Sequence, residues 1–214
     1  KVNVGYMKQK LCMVGIASGL ALGTLGFTHC CIEDVGILRT IPGLTIISPA
    51  DSLETVKALQ SAIKSNLSVY IRLTGSSNNP IIYKDDYKFE IGKSIKLKDG
   101  KDITIFCAGA IVSNCIEAAK KLEEKNISTQ VINMHTIKPL DEASVVDACK
   151  FSKLIISVEE HNVIGGLGSA IAECKSKLDK SPKLLSIGVN DSYSKGGSYK
   201  FLQEKHGLSP DKIV

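Results

Sequence analysis

Three short stretches of this chain carry side chains that could do chemistry, and the first centres on His29. It is followed by two cysteines and by the carboxylates of Glu33 and Asp34, so imidazole, thiol and carboxylate groups occur close together. These are ligand types of a transition-metal site, but adjacent cysteines point in different directions and no second ligand pair follows at a suitable spacing. The pattern therefore disfavours a metal site and leaves His29 as a single donor that could contact a substrate.

The second stretch is SVYIRL, residues 68–73, in which Arg72 interrupts an apolar run. Such a run is typical of a buried strand, and ligands of open α/β sheets approach the carboxyl ends of the strands. A guanidinium can hold a phosphate or a carboxylate with two parallel hydrogen bonds. Arg72 is therefore a candidate for binding an anionic substrate group, and a surface ion pair is the alternative.

The third stretch, VEEHNVIGGLGSAI at residues 158–171, combines Glu159, Glu160 and His161 with a glycine-rich turn. A helix that starts after such a turn can bind an anion through its free N–H groups. The glycines lack the third member at the spacing of the dinucleotide-binding pattern, however. We expect a tight strand-to-helix turn, with the two carboxylates at the surface and the histidine at an interface rather than an acid/base set.

The composition of the 214 residues favours a globular protein of a reducing compartment. A hydrophobic fraction of 43% suits a buried core, and the net charge of +5 comes without the basic run or aromatic platform of a nucleic-acid site. The seven cysteines are an odd number without a C-x-x-C pair, which is typical of reduced thiols in a cytoplasmic protein. The apolar run at residues 11–22 resembles part of a secretory signal but is too short to span a bilayer. We expect neither nucleic acid nor a membrane as the partner.

The elements that must position these residues begin with two predicted helices. Residues 9–22 are almost entirely small or apolar, which predicts a helix buried on most sides, and a second short helix is predicted at residues 32–40. Lys8 and Lys10 then lie where the first helix starts, and their charges oppose the helix dipole there. This unfavourable placement raises the question of what the two lysines do.

The next segment has the pattern of a β-α-β unit. Residues 45–48 and 68–73 predict short strands. Between them, Asp51 can cap a helix and Glu54 has the spacing of a capping box, while the apolar positions of that helix share one face. We therefore expect two parallel strands joined by a right-handed crossover.

A turn-rich segment at residues 74–87 predicts a linker, and a second alternation of strands and helices follows it. Residues 89–97 and 102–109 are predicted strands joined by a hairpin turn at Asp99-Gly100. The rest of the pattern, in chain order, is helix 113–125, strand 129–134, helix 141–151, strand 154–158, helix 168–178, strand 183–188 and one or two short C-terminal helices. This alternation predicts helices on both faces of a mostly parallel sheet.

Five phrases of the sequence, in this order, resemble the transketolase family. They are VNVGYMKQKLCMVGIASGLAL, THCCIEDVGILRTIPGLTIISPAD, YIRL, VINMHTIKPLD and VEEHNVIGGLGSAIAE, and they extend over nearly the whole chain. The resemblance implies an α/β fold with a truncated pyrimidine-binding domain at residues 1–78, a linker at 79–90 and a three-layer C-terminal transketolase domain at 91–214. This order is most similar to the C-terminal subunit of a split transketolase.

The resemblance also implies a reaction, cofactors and partners. The expected activity is the transfer of two-carbon ketol units between sugar phosphates, with thiamine diphosphate supplying the reactive ylid. Thiamine diphosphate and Mg²⁺ would bind at the interface with a separate N-terminal, diphosphate-binding subunit, in a homodimer or heterotetramer. On the family's motifs, Lys8 occupies the position of the catalytic glutamate that pairs with the aminopyrimidine. His29 matches a substrate-side histidine, and Arg72 matches the arginine that binds the substrate phosphate.

Two departures from the family pattern leave alternatives open. A lysine side chain is cationic at neutral pH, so Lys8 cannot exchange the ring's proton as a carboxylic acid does. Residues 24–27 alone separate GLALG from THCC, where the family has several dozen residues. The isolated chain is therefore expected to be inactive. The alternatives are a non-catalytic assembly subunit, and the β subunit of a 2-oxo-acid dehydrogenase or a deoxyxylulose-phosphate-synthase-like enzyme.

Overall fold

The described residues, 1–74 and 79–214, form two sheets in a computed structural model of the chain. The strands are β1 (Cys12–Ser18), β2 (Leu44–Ile47), β3 (Ser68–Thr74), β4 (Ile95–Lys98), β5 (Ile103–Cys107), β6 (Thr129–Asn133), β7 (Thr136–Lys138), β8 (Leu154–Asn162) and β9 (Lys183–Val189). The α-helices are α1 (Asp34–Arg39), α2 (Ser52–Lys64), α3 (Val112–Glu124), α4 (Glu142–Phe151), α5 (Leu167–Lys175), α6 (Tyr199–Lys205) and α7 (Pro210–Ile213). In this described part of the chain, none of the helices has the length and apolar character needed to cross a membrane. The expected α/β fold class is confirmed.

The larger sheet, in the order β4-β6-β5-β8-β9, is the middle of a three-layer arrangement, as expected. β5 lies between β6 and β8 and runs parallel to both, β9 is parallel to β8, and the edge strand β4 is antiparallel to β6. Successive side chains of β5 face opposite cores, because Ile105 packs with α3 and α7 whereas Phe106 packs with α4 and α5. Covering both faces in this way explains why β5 is an almost continuous apolar run.

The predicted hairpin at Asp99-Gly100 is wrong. β4 pairs with one side of β6 and β5 with the other. The chain between them crosses the start of β6, where the backbone N–H of Asp102 donates to the Ser128 carbonyl at 2.8 Å. A Cβ on Gly100 would lie 2.1 Å from the backbone nitrogen of Gln130, so this glycine permits a close crossing rather than a turn between neighbouring strands.

The smaller sheet, in the order β1-β3-β2-β7, contains the predicted β-α-β unit, because α2 connects the parallel strands β2 and β3. Asp51 caps α2, and its carboxylate accepts a hydrogen bond from the Glu54 backbone N–H at 2.9 Å. The Glu54 carboxylate accepts from the N–H of Ala50 at 2.7 Å, one residue before the position of a capping box. Ala58 and Ala62 pack α2 onto the sheet.

The predicted helix at residues 9–22 is wrong, because this segment forms β1 along the edge of β3. Its side chains alternate between more and less exposed positions, which is the period of a strand. Val14 and Ile16 are β-branched and lie on the α2 side of the sheet, whereas Met13 packs in the opposite core. The small, apolar composition of this segment is compatible with a helix or a strand. The segment forms a strand because β3 has an open edge with which it pairs.

The two sheets are joined by the connection from β6 to β7, and residues of both sheets pack together in two hydrophobic cores. β7 follows β6 of the larger sheet directly, yet it pairs antiparallel with β2 of the smaller one. Leu20 and Ile32, which precede β2, pack in the core beside α3. The predicted linker lies at this junction. Residues 75–78 of it are outside the described residues, and the backbone N–H groups of Ile82 and Tyr83 donate to the Asp51 carboxylate.

Candidate functional site

Arg72 lies near the carboxyl end of β3, as predicted, but its guanidinium is buried, with 3% of the residue exposed. Its Nε donates to both carboxylate oxygens of Asp34, at 3.0 and 2.8 Å. Nη1 donates to the hydroxyl of Thr74 at 3.0 Å, and Nη2 donates to the carbonyls of Cys31 and Glu160 at 3.2 and 3.1 Å. The guanidinium thereby joins β3 to α1 and to β8, so the ion pair lies inside the protein and not at its surface.

Asp34 is the counter-ion that sequence analysis missed. Burial alone would raise the pKa of the Asp34 carboxyl. The charge of Arg72, together with the hydrogen bonds from Arg72 and from the Tyr70 hydroxyl, outweighs this effect and holds the pKa below its ordinary value. The Tyr70 hydroxyl donates to the same carboxylate at 2.8 Å. The Tyr70 ring lies over Gly15. A Cβ at position 15 would be 2.2 Å from the Tyr70 hydroxyl oxygen, so the glycine leaves room for the ring. An acidic residue at the start of a helix is ordinarily explained by the helix dipole, so no local signal pointed to Arg72.

His29 is exposed at the end of a 3₁₀ turn, Phe27–His29. Its Nδ1 lies 3.0 Å from the Thr28 hydroxyl. The carbonyl of Cys31, two residues later, accepts the hydrogen bond from Arg72, so the segments of His29 and Arg72 adjoin. A cavity of about 460 Å³ lies in this segment, lined by Phe27, Thr28, Cys30, Glu33 and Tyr193.

Lys8 is exposed and precedes β1, at the opposite end of the smaller sheet from Arg72. The carbonyl of Gln9 accepts a hydrogen bond from the Ser68 hydroxyl, at the start of β3. Arg72 lies farther along the same strand, by about 13 Å at roughly 3.3 Å per residue. β1 and β3 are parallel and begin at the same end of the sheet. Lys8 therefore lies at the start of these strands and Arg72 near their far end, so one chain does not bring Lys8 together with Arg72 and His29.

The glycine-rich turn after β8 binds a carboxylate of the protein itself. Glu159 accepts hydrogen bonds from the N–H groups of Leu167 and Gly168, at 2.7 and 2.8 Å, where α5 starts. A Cβ on Gly166 would lie 1.9 Å from this carboxylate, so the glycine leaves room for it. Burial raises the pKa of Glu159, against the opposing effects of His161 and the two N–H groups. The turn is an anion site that Glu159 already fills.

The surface placement predicted for Glu159 and Glu160 is wrong, because they are 4% and 1% exposed. Glu160 accepts hydrogen bonds from the N–H of Leu20 at 2.7 Å and from the Tyr199 hydroxyl at 2.6 Å. Burial raises the pKa of Glu160, and these donors partly offset the rise. His161 is buried as well, against α1. β8 therefore continues through this polar triplet as a fully covered strand, because each side chain has a partner on another element.

A further buried carboxylate, that of Glu54, holds the segment between the two sheets. Glu54 accepts hydrogen bonds from the Tyr87 hydroxyl at 2.9 Å and from Asn133 Nδ2 at 2.9 Å. Asn133 also donates to the Tyr83 hydroxyl at 2.8 Å, and the two tyrosine rings stack with centroids 4.2 Å apart. Burial raises the pKa of Glu54. The capping pattern identified Glu54 but gave no sign of partners so far away along the chain.

Two family models match the chain. The model described as the transketolase pyrimidine binding domain matches residues 1–79, and the model described as the transketolase C-terminal domain matches residues 92–213. The chain belongs to the transketolase family. The resemblance found in the sequence is confirmed, and the two mostly parallel sheets match the fold of these two transketolase domains.

Several relatives are transketolase subunits. A 6-deoxy-6-sulfo-D-fructose transketolase subunit from a Clostridium species is 36% identical over 213 residues, covering 100% of this chain and 66% of the relative. A solved structure described as a split gene transketolase, inactive β4 tetramer, is 33% identical with a TM-score of 0.84, covering 95% of this chain and 63% of that one. A 1-deoxy-D-xylulose-5-phosphate synthase from Nitrosomonas europaea is 31% identical over 194 residues, covering 90% of this chain and 31% of the relative. The chain therefore spans about two thirds of the length of these two proteins, 66% of the Clostridium subunit and 63% of the split gene transketolase chain.

The segment around Lys8 lacks the carboxylate that the transketolase resemblance implies beside the aminopyrimidine of thiamine diphosphate. The first acidic residue of the sequence is Glu33, so the segment around Lys8 offers no carboxylate for the ring's proton. Within residues 1–74 and 79–214, no three His, Cys, Asp or Glu side chains are arranged to hold a metal ion such as Mg²⁺.

Proposed function

We propose that this chain is the C-terminal subunit of a transketolase-type enzyme that transfers two-carbon ketol units between sugar phosphates, together with a separate N-terminal, diphosphate-binding subunit. The observation that carries the proposal is the match to both transketolase domain models in family order, over a chain that aligns throughout with a split transketolase subunit. Thiamine diphosphate and Mg²⁺ would bind at the interface between the two subunits, with Mg²⁺ held by the partner.

The proposal assigns parts of the chain as follows. Residues 1–78 form a truncated pyrimidine-binding domain, 79–90 a linker and 91–214 the C-terminal domain. His29 contacts the substrate, which its exposure beside an aromatic-lined cavity supports. Arg72 reaches a substrate phosphate only when Asp34 releases it.

Lys8 is a changed cofactor contact in this proposal, at the position of the family's glutamate. Its exposure supports contact with a partner rather than with the rest of its own chain. The enzyme is cytoplasmic, as the unpaired cysteines predict.

An exposed apolar face supports association with the partner subunit. On α2, Val56, Leu59 and Ile63 are 52, 40 and 59% exposed, so the apolar face predicted for this helix points to solvent. On the same side of the sheet, Val14 and Ile16 of β1 are 49 and 78% exposed. We call these five residues the α2 surface. Neighbouring apolar side chains of this size are rarely left in water by a protein that works alone.

Lysines border the α2 surface. Lys10 Nζ donates to the carbonyl of Ile63 at 2.7 Å, and Lys8 and Lys64 are exposed nearby. Within residues 1–18 and 52–67, the one acidic residue is Glu54, which is fully buried. Lys57 of α2 is paired with Asp86, but the lysines that border the five apolar residues still fit a different chain with an acidic border better than a second copy of this one, as in a heterotetramer.

The experiment combines the chain with the diphosphate-binding subunit of the same organism, thiamine diphosphate and Mg²⁺. Light scattering measures the complex, and a coupled assay measures ketol transfer between sugar phosphates. We expect both a complex and turnover. Ile63→Asp should weaken the complex by about tenfold or more, because it buries a charge in the interface. Ile164→Asp is the matched control, since Ile164 is 61% exposed on the turn after β8, and it should leave the complex unchanged.

Other outcomes separate the alternatives. A stable complex without turnover would support a non-catalytic assembly subunit. Decarboxylation of a 2-oxo acid in place of ketol transfer would support the β subunit of a 2-oxo-acid dehydrogenase or a deoxyxylulose-phosphate-synthase-like enzyme, the class of the Nitrosomonas relative. Failure to form any complex would contradict the subunit proposal itself.

A further inference from the structure

A buried lysine and a partly exposed cysteine meet where α4 packs against α5. Lys175 Nζ lies 3.7 Å from Cys149 Sγ and 2.6 Å from the carbonyl oxygen of Pro182. Lys175 is 7% exposed, whereas Cys149 is partly exposed. The ammonium therefore donates to a sulfur and a carbonyl and is shielded from water.

No carboxylate balances the charge of Lys175. In the described ranges, none of the acidic side chains lies within the 4.0 Å of an ion pair from its Nζ. The neighbouring acids pair with other lysines, since Glu142 lies 2.8 Å from Lys177 and Asp147 lies 2.7 Å from Lys150. A buried ammonium without a counter-charge is unfavourable, and the ionisable group in contact with it is the thiol.

We propose that Lys175 holds Cys149 as a thiolate and that Cys149 is thereby the cysteine of this chain that reacts fastest with peroxides. The thiolate attacks one oxygen of hydrogen peroxide, so that an S–O bond forms while the O–O bond breaks. The leaving hydroxide takes up a proton from solvent, and the product is a sulfenic acid. The sulfur loses one electron pair, and the peroxide accepts it.

The proposed Cys149 thiolate depends on Lys175, because the dipole of helix α4 disfavours a negative charge at Cys149. Cys149 lies near the end of α4, where the helix dipole disfavours a negative charge. Burial raises the pKa of four other cysteines, which are Cys30, Cys31, Cys115 and Cys174. Cations also act on Cys31 and Cys174, namely Arg72 on the first and Lys177 and Lys175 on the second, but burial outweighs them. Cys12, exposed on β1, is the reference thiol for comparison.

The test follows each cysteine of the full chain at pH 7 by peptide mass spectrometry. Limiting iodoacetamide reports thiolate reactivity, and dimedone traps sulfenic acid after hydrogen peroxide is added. We expect Cys149 to react about tenfold faster than Cys12, because its Sγ is in contact with the Lys175 ammonium. Lys175→Met should remove this advantage and leave the rate of Cys12 unchanged, whereas Lys175→Arg should keep it. Lys177→Met, at an exposed lysine of the same region, is the matched control.

Faster reaction of Cys12 or Cys31 than of Cys149 would overturn the proposal, as would an unchanged Cys149 rate in Lys175→Met. Thermal unfolding checks that this variant is folded. If it is not, the pH dependence of labelling in the unaltered chain decides the question. A midpoint for Cys149 below that of Cys12 supports the proposal, and an equal or higher midpoint overturns it.

Discussion

Arg72 of β3 and Asp34 of α1 form an ion pair inside the protein, with Nε 3.0 and 2.8 Å from the two carboxylate oxygens. Asp34→Ala leaves the guanidinium buried without its counter-charge, and we expect the free energy of unfolding to fall by about 3–5 kcal/mol. The double variant Arg72→Met with Asp34→Leu removes both charges and should lose less. Urea unfolding followed by circular dichroism measures this difference.

A pair of exposed side chains provides the control for this measurement. Lys150 and Asp147 are 68 and 69% exposed in their side chains, and Lys150→Ala should leave the unfolding curve nearly unchanged. A similarly small change in Asp34→Ala would contradict the structural role given to the Arg72–Asp34 pair.

The carboxylate of Glu159 should keep outside anions away from the start of α5. Glu159→Ala frees the N–H groups of Leu167 and Gly168, and we expect a loss of about 1–3 kcal/mol in stability because these groups become unpaired. Inorganic phosphate should then raise the melting temperature of the variant but not of the unaltered chain. Glu160→Ala removes an equally buried carboxylate that caps no helix, and phosphate should not stabilise it. Equal phosphate effects on both variants would exclude the proposed anion site.

His135 should make the fold sensitive to acid. It is fully buried, its ring stacks on Phe89 at 4.2 Å, and its Nε2 has no hydrogen-bond partner among the described residues. Burial lowers its pKa from 6.5 to about 4. The folded state therefore binds a proton less readily than the unfolded state, and the contribution of His135 to stability is lost as the pH falls from 6.5 to about 4.

The comparison with His135→Phe isolates this contribution. Between the two pH limits, the unaltered chain should lose roughly 3 kcal/mol relative to the variant. Buried Glu54, Glu159 and Glu160 have raised pKa values and act in the opposite direction, so the absolute slope is not diagnostic. His29→Gln, at an exposed histidine, is the control. Parallel pH profiles for the unaltered chain and His135→Phe would contradict this prediction.

Lys8→Glu should increase ketol transfer in the complex with the diphosphate-binding subunit. In the proposed assignment of Lys8, the substitution restores a carboxylic acid at the position where the family exchanges a proton with the aminopyrimidine, which a cationic lysine does not do. Lys10→Glu changes the charge by the same amount in the same segment and should not raise turnover. Steady-state rates at saturating thiamine diphosphate measure the effect, and equal rates for the two variants would remove Lys8 from the cofactor site.

Local patterns were sufficient for elements whose ends are defined by nearby residues. Asp51 caps α2 as its spacing predicts, Asp141 caps α4 where that helix is predicted to start, and the buried strands β5 and β6 are apolar runs of strand length. Strand pairing is a long-range property and was not predictable in the same way. Whether residues 12–18 form a helix or a strand depends on the open edge of β3, more than fifty residues later.

The candidate site shows the same limit. The strand-end position of Arg72 follows from the sequence. Its partner Asp34 lies 38 residues away and stands at a helix start, where an acidic residue needs no further explanation. Glu159 and Glu160 were expected at the surface because consecutive carboxylates usually are, and only the fold supplies the buried donors that they accept from. The roles of Lys8, His29 and Arg72 in catalysis stay predictions.

The pairing of β7 with β2 constrains the order in which a newly made chain can fold. Residues Thr136–Lys138 emerge from the ribosome long after Leu44–Ile47, and until then β2 has one unpaired edge. The helix and strands of the smaller sheet cannot complete their hydrogen bonding during synthesis of the first half, so an open strand edge is exposed for that whole interval. A nascent chain stalled before residue 136 therefore leaves this edge of β2 open to pairing with another chain.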